Sequence, residues 1–264
     1  MKRGLLAALA ASVFLALPGP VQAQDDAPEM MWFTVFTDHV KPSMAMQYEA
    51  KIGEVVDMFT AAGVQDMNWV TISGPELGYA YAIAGMGPDD HSDMHATWQA
   101  SVGAVGPEKF MGAMSAAMES VESQEMYYLT LRSELSYQPE MVGFDPEKPM
   151  RHYTLLKVLP GQEAAMEAVA TGFKELYAKH GIERGWRFYQ YMTGSDLPAY
   201  LVVESAKDEH EHFMLESETQ EKFGDEAQAL YGQVMAASRG METMTGYVRP
   251  DLSYPRMEMA AEGE

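Results

Sequence analysis

Arg132-Ser133-Glu134-Leu135-Ser136-Tyr137 and Arg249-Pro250-Asp251-Leu252-Ser253-Tyr254 spell one signature, Arg-x-acid-Leu-Ser-Tyr, twice in a single chain. Working upstream from each copy, further landmarks recur in the same order. Glu108-Lys109-Phe110 returns as Glu221-Lys222-Phe223, and Val40-Lys41-Pro42 has its counterpart in Val158-Leu159-Pro160. Gly63-Val64 and Gly181-Ile182 close the helical stretches that those prolines open. Kept order and nearly kept spacing point to an internal duplication of a unit of about a hundred residues.

Periodicity supplies the elements of each unit. Residues 30–40 and 150–158 are rich in aromatic and β-branched side chains, which predicts strands. Tyr48, Ile52, Val55, Val56 and Phe59 fall at helical spacing, as do Met166, Val169, Ala170, Phe173, Leu176 and Tyr177. Gly63 and Gly181 suit the left-handed residue that ends a helix. Residues 68–73 and 79–84, and again 186–192 and 199–204, read as strand pairs around Gly- and Pro-containing turns. A polar helical stretch and a last strand, 126–132 or 244–249, complete each half. Strand, helix, strand, strand, helix, strand is the ferredoxin-like order. The expected fold class is therefore α+β. Two tandem βαββαβ repeats, 30–137 and 150–254, would join as a pseudo-dimer and form an intramolecular barrel. A linker at 138–149, a short segment at 24–29 and a loose acidic tail at 255–264 account for the rest.

The first residues are expected to be removed. Met1-Lys2-Arg3 is cationic, Gly4 to Leu17 is apolar and uncharged, and Pro18-Gly19-Pro20 precedes Val21-Gln22-Ala23. That order is a signal peptide over residues 1–23 with cleavage near Ala23, which predicts a periplasmic or secreted protein. No other run is apolar for long enough to predict membrane insertion. Cleavage removes two positive charges and no acid, taking the net charge from −21 to −23. A field of that sign, without a basic stripe, argues against nucleic acid as a partner. Without cysteine, disulfides, thiol catalysis and a lipid anchor on Cys are excluded. No phosphate loop, dinucleotide motif or Gly-x-Ser-x-Gly elbow is present.

With this element order, the chain resembles the dimeric α+β barrel superfamily in a fused two-copy form, over roughly residues 30–257. His152-Tyr153-Thr154-Leu155, leading to Pro160-Gly161 and a long helix, is similar to the start of NIPSNAP-type and antibiotic-biosynthesis-monooxygenase-type domains. The resemblance implies a superfamily of cofactor-free monooxygenases, haem-handling enzymes, isomerases, stress proteins and ligand-binding regulators. Such breadth leaves function to the site.

His152 heads the candidates. In a strand, its imidazole would face either the helices or the barrel interior, as a base or a haem ligand, or else as an ordinary hydrogen-bonded histidine. Trp186, Arg187, Tyr189 and Tyr191 crowd one strand and suggest a wall for an aromatic or carboxylate-bearing ligand, or a strand with Trp186 in the core. Alternation places Arg187, Tyr189 and Tyr191 together and Trp186 opposite. His91 and His95, four apart, and His210 and His212, two apart, are the metal candidates, although neither pair has an evident third ligand. Acidic helix starts explain their surroundings equally well. Of the 23 methionines, Met111, Met114 and Met118 form a helical stripe that predicts core packing more simply than copper binding. No cofactor is required by the sequence. Three functions follow: a binder of a small molecule in a barrel pocket, a monooxygenase-like or haem-handling enzyme using His152, or a structural or stress protein. The pseudo-dimer is compatible with a higher oligomer.

Overall fold

A computed structural model describes residues 31–85, 87–194 and 196–257, without the side chains of Leu77 and His91. The expected cleavage site and the end of the tail lie outside the described residues. The elements run β1 (Met31–Val40), α1 (Ala45–Ala62), β2 (Val70–Ser73), β3 (Gly78–Ala84), α2 (His91–Val105), α3 (Pro107–Met118) and β4 (Val121–Leu131). After the connecting segment come β5 (Met150–Val158), α4 (Glu163–Lys179), β6 (Arg187–Tyr191), β7 (Ala199–Ala206), α5 (Glu209–Phe223), α6 (Glu226–Ala237) and β8 (Ser238–Val248).

The eight strands close into one antiparallel barrel in the order β1-β3-β2-β8-β5-β7-β6-β4. The fold is thus α+β, with helices packed on the outside of the barrel. Both long pairs, β1–β4 and β5–β8, shift register at their far ends, between His39 and Val40 and between Lys157 and Val158. The last strands are longer than periodicity predicts, beginning at Val121 and Ser238, because their exposed first halves carry little apolar signal. Gly63 (φ 64°) and Gly181 (φ 60°) take up left-handed conformations at or just past the helix ends. All five apolar positions of the α1 stripe are buried.

The repeated signature fastens the barrel's two halves together. Ser136 Oγ donates to Arg132 O (2.9 Å) and accepts from Phe188 N (2.9 Å), so it ties the end of β4 to β6. Ser253 Oγ repeats this with Arg249 O (2.8 Å) and Thr71 N (2.9 Å), tying the end of β8 to β2. Trp186 Nε1 donates to Leu135 O, and Trp69 Nε1 to Leu252 O. Tyr137 lies against Trp186 and Tyr254 against Trp69. Each arginine then reaches a helix of the other half: Arg132 pairs with Glu167 and Arg249 with Glu49. Tyr200 and Tyr79 donate to those same carboxylates. The arginine, the leucine carbonyl, the serine and the tyrosine of the signature each make a contact at a seam.

Two layers need filling: the barrel interior, and the space between the barrel wall and the helices. Around α1–α3 the outer layer is filled by aromatic rings, with Phe59 against Trp69, Trp98 and Phe110. Around α4–α6 it is not. The predicted methionine stripe is only partly core: Met114 packs inward, but Met111 is 55% exposed. One turn's rotation on a helix separates i and i+3 by enough to put Met111 past the apolar edge.

Candidate active site

Between the β5–β8 wall and helices α4–α6 lies a cavity of about 670 Å³. Met150, Met166, Val169, Phe173, Trp186 and Phe188 supply much of its apolar lining. Its polar groups converge from four elements. His152 comes from β5, Glu204 from β7, His212 and Glu216 from α5, and Tyr177 from α4. Strand alternation explains the first two: His152 and Glu204 are opposed in the β5–β7 ladder, so both side chains stand on the helix-facing side. Asp208 caps α5 by accepting from Glu211 N (2.8 Å), and this sets the helix phase that turns His212 inward.

His152 and His212 stack face to face, with ring centroids 4.1 Å apart and planes 24° apart. Two imidazolium charges at that separation would repel by about 4 kcal/mol at an effective dielectric of about 20. At most one is therefore charged. Burial holds His152 below the usual imidazole range, and neighbouring His212 adds to this, against the opposing pull of Glu204. Burial likewise lowers His212, with Arg184 reinforcing it. The pair is thus poised as neutral imidazole at neutral pH.

Arg184 stands behind these groups. Its Nη2 lies 3.4 Å from Glu204 Oε1, donates to Tyr177 Oη (3.1 Å) and pairs closely with Glu216. Burial pushes the Glu204 carboxyl up, with Glu216 adding to the effect and Arg184 opposing it. Against burial, Gln220 and Arg184 hold Glu216 below the usual carboxylate range. The rim is apolar: Phe213, Met235 and Met241 line the mouth with 65%, 66% and 52% of their surfaces exposed.

The candidate residues read from the sequence are thereby separated. His152 faces the outer cavity, and so does Trp186. Arg187, Tyr189 and Tyr191 face a second cavity, of about 630 Å³, inside the barrel. These four aromatic and cationic residues of the 186–191 stretch therefore line two sites, because alternate side chains leave a strand on opposite faces. Of the metal candidates, His212 is buried while His210 and His95 are exposed. The side chain of His91 lies outside the described residues. Among the described residues, no group of three or more His, Asp or Glu could hold a metal ion. No helix there is long and apolar enough to cross a membrane.

Sequence reasoning passed over Glu204, Arg184 and Glu216. Glu204 had a usable signal, since it is a lone acid in the apolar run Ala199-Tyr200-Leu201-Val202-Val203 and its continuation. Arg184 and Glu216 had none, because their meeting depends on how α5 lies across the sheet.

No protein-family model matches the chain, and neither does any curated protein sequence. Solved structures do match in shape. The crystal structure of an anthrone oxidase-like protein shares 15% identity with a TM-score of 0.55, over 89% of this chain and 97% of that one. A candidate monooxygenase of Lactobacillus acidophilus NCFM shares 6% identity with a TM-score of 0.51, over 83% of this chain and 94% of that one. A chlorite dismutase variant of Candidatus Nitrospira defluvii shares 11% identity with a TM-score of 0.51, over 84% and 92%. At such low identity these likenesses speak to architecture alone, the α+β fold that the chain shares with them.

Proposed function

We propose that this chain is a monooxygenase-like enzyme without a bound cofactor, acting on a planar, largely apolar molecule in the outer cavity. The observation that carries this reading is the His152–His212 stack, opening into an apolar chamber with Glu204 across the ladder. A cavity of about 670 Å³ suits a fused-ring molecule, and its Met and Phe rim favours an apolar one. The name of the anthrone oxidase-like neighbour supplies a model substrate. In that chemistry His152 would take a proton from an acidic ring carbon, and Glu204 would favour the imidazolium formed. Dioxygen then oxidises the electron-rich ring: CH₂ and O₂ become C=O and H₂O.

The same cavity suits haem less well. Among the described residues its cationic neighbour, Arg184, is already engaged by Glu204 and Glu216, and Glu209 adds a further acid to the lining. Two propionates would meet carboxylates rather than a free cation.

The barrel itself is read as a tandem pair of ferredoxin-like repeats acting as its own pseudo-dimer, exported after loss of residues 1–23. The repeated signature and its equivalent contacts support the duplication. The test is oxygen uptake and anthraquinone formation with anthrone, using the parent chain and His152→Gln. Turnover that falls by about 100-fold or more in the variant, with anthrone binding kept, is the expected result. Absence of anthrone binding, or full activity in His152→Gln, overturns the reading. A haemin titration serves as control and is expected to leave the spectrum of unbound haemin.

A further inference from the structure

The barrel interior carries chemistry that the outer site does not use. β3 sets Gly78, Ala80, Ala82 and Ala84 on its inner face. Such small residues leave space where eight strands would ordinarily let side chains fill the barrel. The remaining chamber is about 630 Å³. Tyr127, Tyr153, Tyr189, Tyr191 and Phe33 line it with aromatic surface.

Two guanidinium groups reach this chamber. Arg151 is 6% exposed; its Nη1 donates to Lys148 O (2.7 Å) and Met150 O (2.9 Å), and its Nη2 to Gly143 O (2.9 Å). Arg187 Nε donates to Pro139 O (2.9 Å), its guanidinium bonds to the Tyr189 hydroxyl, and its Nη2 lies beside Gly143. Both therefore meet the same connecting segment, 138–149, which folds over the barrel with Val142 and Phe144 against the chamber.

Their partners set them apart. Arg132, Arg184, Arg239, Arg249 and Arg256 each have a carboxylate within 4 Å. Among the described residues, Arg151 and Arg187 are the arginines that do not. In a chain carrying −21 overall, two neighbouring cations left without an acid form a local positive pole. Glu76 is the acid that lines the chamber, and it is exposed in the β2–β3 hairpin; Asp145 acts on Arg151 only at longer range. Backbone carbonyls offset part of the cost of burying the guanidinium groups but supply no net charge.

We infer that the barrel interior is a second binding site, for a small aromatic carboxylate, with Arg151 and Arg187 holding the carboxylate and the tyrosines packing its ring. On β5 and β6 this site takes the face opposite to the outer cavity, while Pro75, Thr243, Met244 and Thr245 border both. Guanidinium suits a planar carboxylate through paired N–H donors, and the phenols offer both ring faces and hydroxyl groups.

The experiment is calorimetric titration of the full chain with 2-naphthoate and with its neutral isostere, 2-naphthamide. The acid is expected to bind at least about tenfold more tightly than the amide, and Arg187→Gln to remove that preference. Arg151→Gln should act likewise; if it does not fold, the Arg187→Gln result and the acid–amide comparison decide the matter. Anthrone binding in the outer cavity should be unchanged in Arg187→Gln, so failure of either site shows separately. Equal binding of acid and amide overturns the inference, as does no binding at millimolar concentration or an undiminished preference in Arg187→Gln.

Discussion

Replacing Arg249 with methionine removes one fastener of the barrel and keeps most of the side chain's apolar length. Its guanidinium grips Glu49 with two nitrogens, Nη1 closely and Nη2 at 3.0 Å, across nearly the whole sequence. The pair is neither surface nor core, since the side chains are 24% and 32% exposed. Exposed pairs contribute up to about 1 kcal/mol, and breaking a fully buried one costs about 3–5 kcal/mol. Asp251, 56% exposed, adds little. A loss of about 2 kcal/mol follows, or roughly 4–8 °C in melting temperature for a chain of this size. The pH dependence is more diagnostic. Arg249 holds the Glu49 carboxyl below the usual range, against burial and with help from Tyr79. A depressed carboxylate stabilises fully above its unfolded value of about 4.3, and that contribution disappears as pH falls through the folded value. Thermal unfolding followed by circular dichroism should therefore show a clear gap between parent and Arg249→Met at pH 7, narrowing as pH approaches about 3. A variant melting within about 1 °C of the parent at pH 7, or a gap indifferent to pH, would refute the fastening role.

Arg132→Met should cost about as much at the other seam, and the double variant should lose close to the sum, because the two arginines share no partner; chemical denaturation of all three variants checks this. Gly185→Ala should destabilise by about 2 kcal/mol or more, because its Cβ would fall 2.1 Å from the backbone oxygen of Gln138; the midpoint in urea reads it. His152 and His212 are both held low by burial, so the unfolded chain binds more protons and stability should fall as pH drops below about 6.5. His152→Gln should flatten that slope, which melting curves between neutral and mildly acid pH will show. If residues 1–23 form a signal peptide, mass spectrometry of the exported product should find Gln24 at its N-terminus.

The architecture was legible because it rests on local order repeated at long range. Period-2 and helical patterns gave the element types, and the two copies of the signature stand directly after β4 and β8. Its meaning was hidden, since Arg249 meets Glu49 and Ser253 meets Thr71 only once the barrel closes. The outer site was half visible. His152 stood out as an imidazole in a strand, but its stack with His212 requires α5 to cross β5 and β7. His210 and His212 looked like a pair in sequence, yet positions two apart on a helix point in different directions, and one is exposed while the other is buried. Arg151 went unnoticed for a similar reason. What distinguishes it is the carboxylate it lacks in space, which no local pattern of charges records.

The central claim is that His152 and His212 form one neutral pair facing a planar substrate. Imidazole resonances followed by nuclear magnetic resonance, titrated with pH and then with anthrone, test it directly. Both rings should titrate below about 6.5. Both should also shift on addition of anthrone, whereas anthrone should leave the resonances of exposed His95 and His210 unmoved. Ordinary titration of His152 and His212, or anthrone that perturbs neither ring, would contradict it.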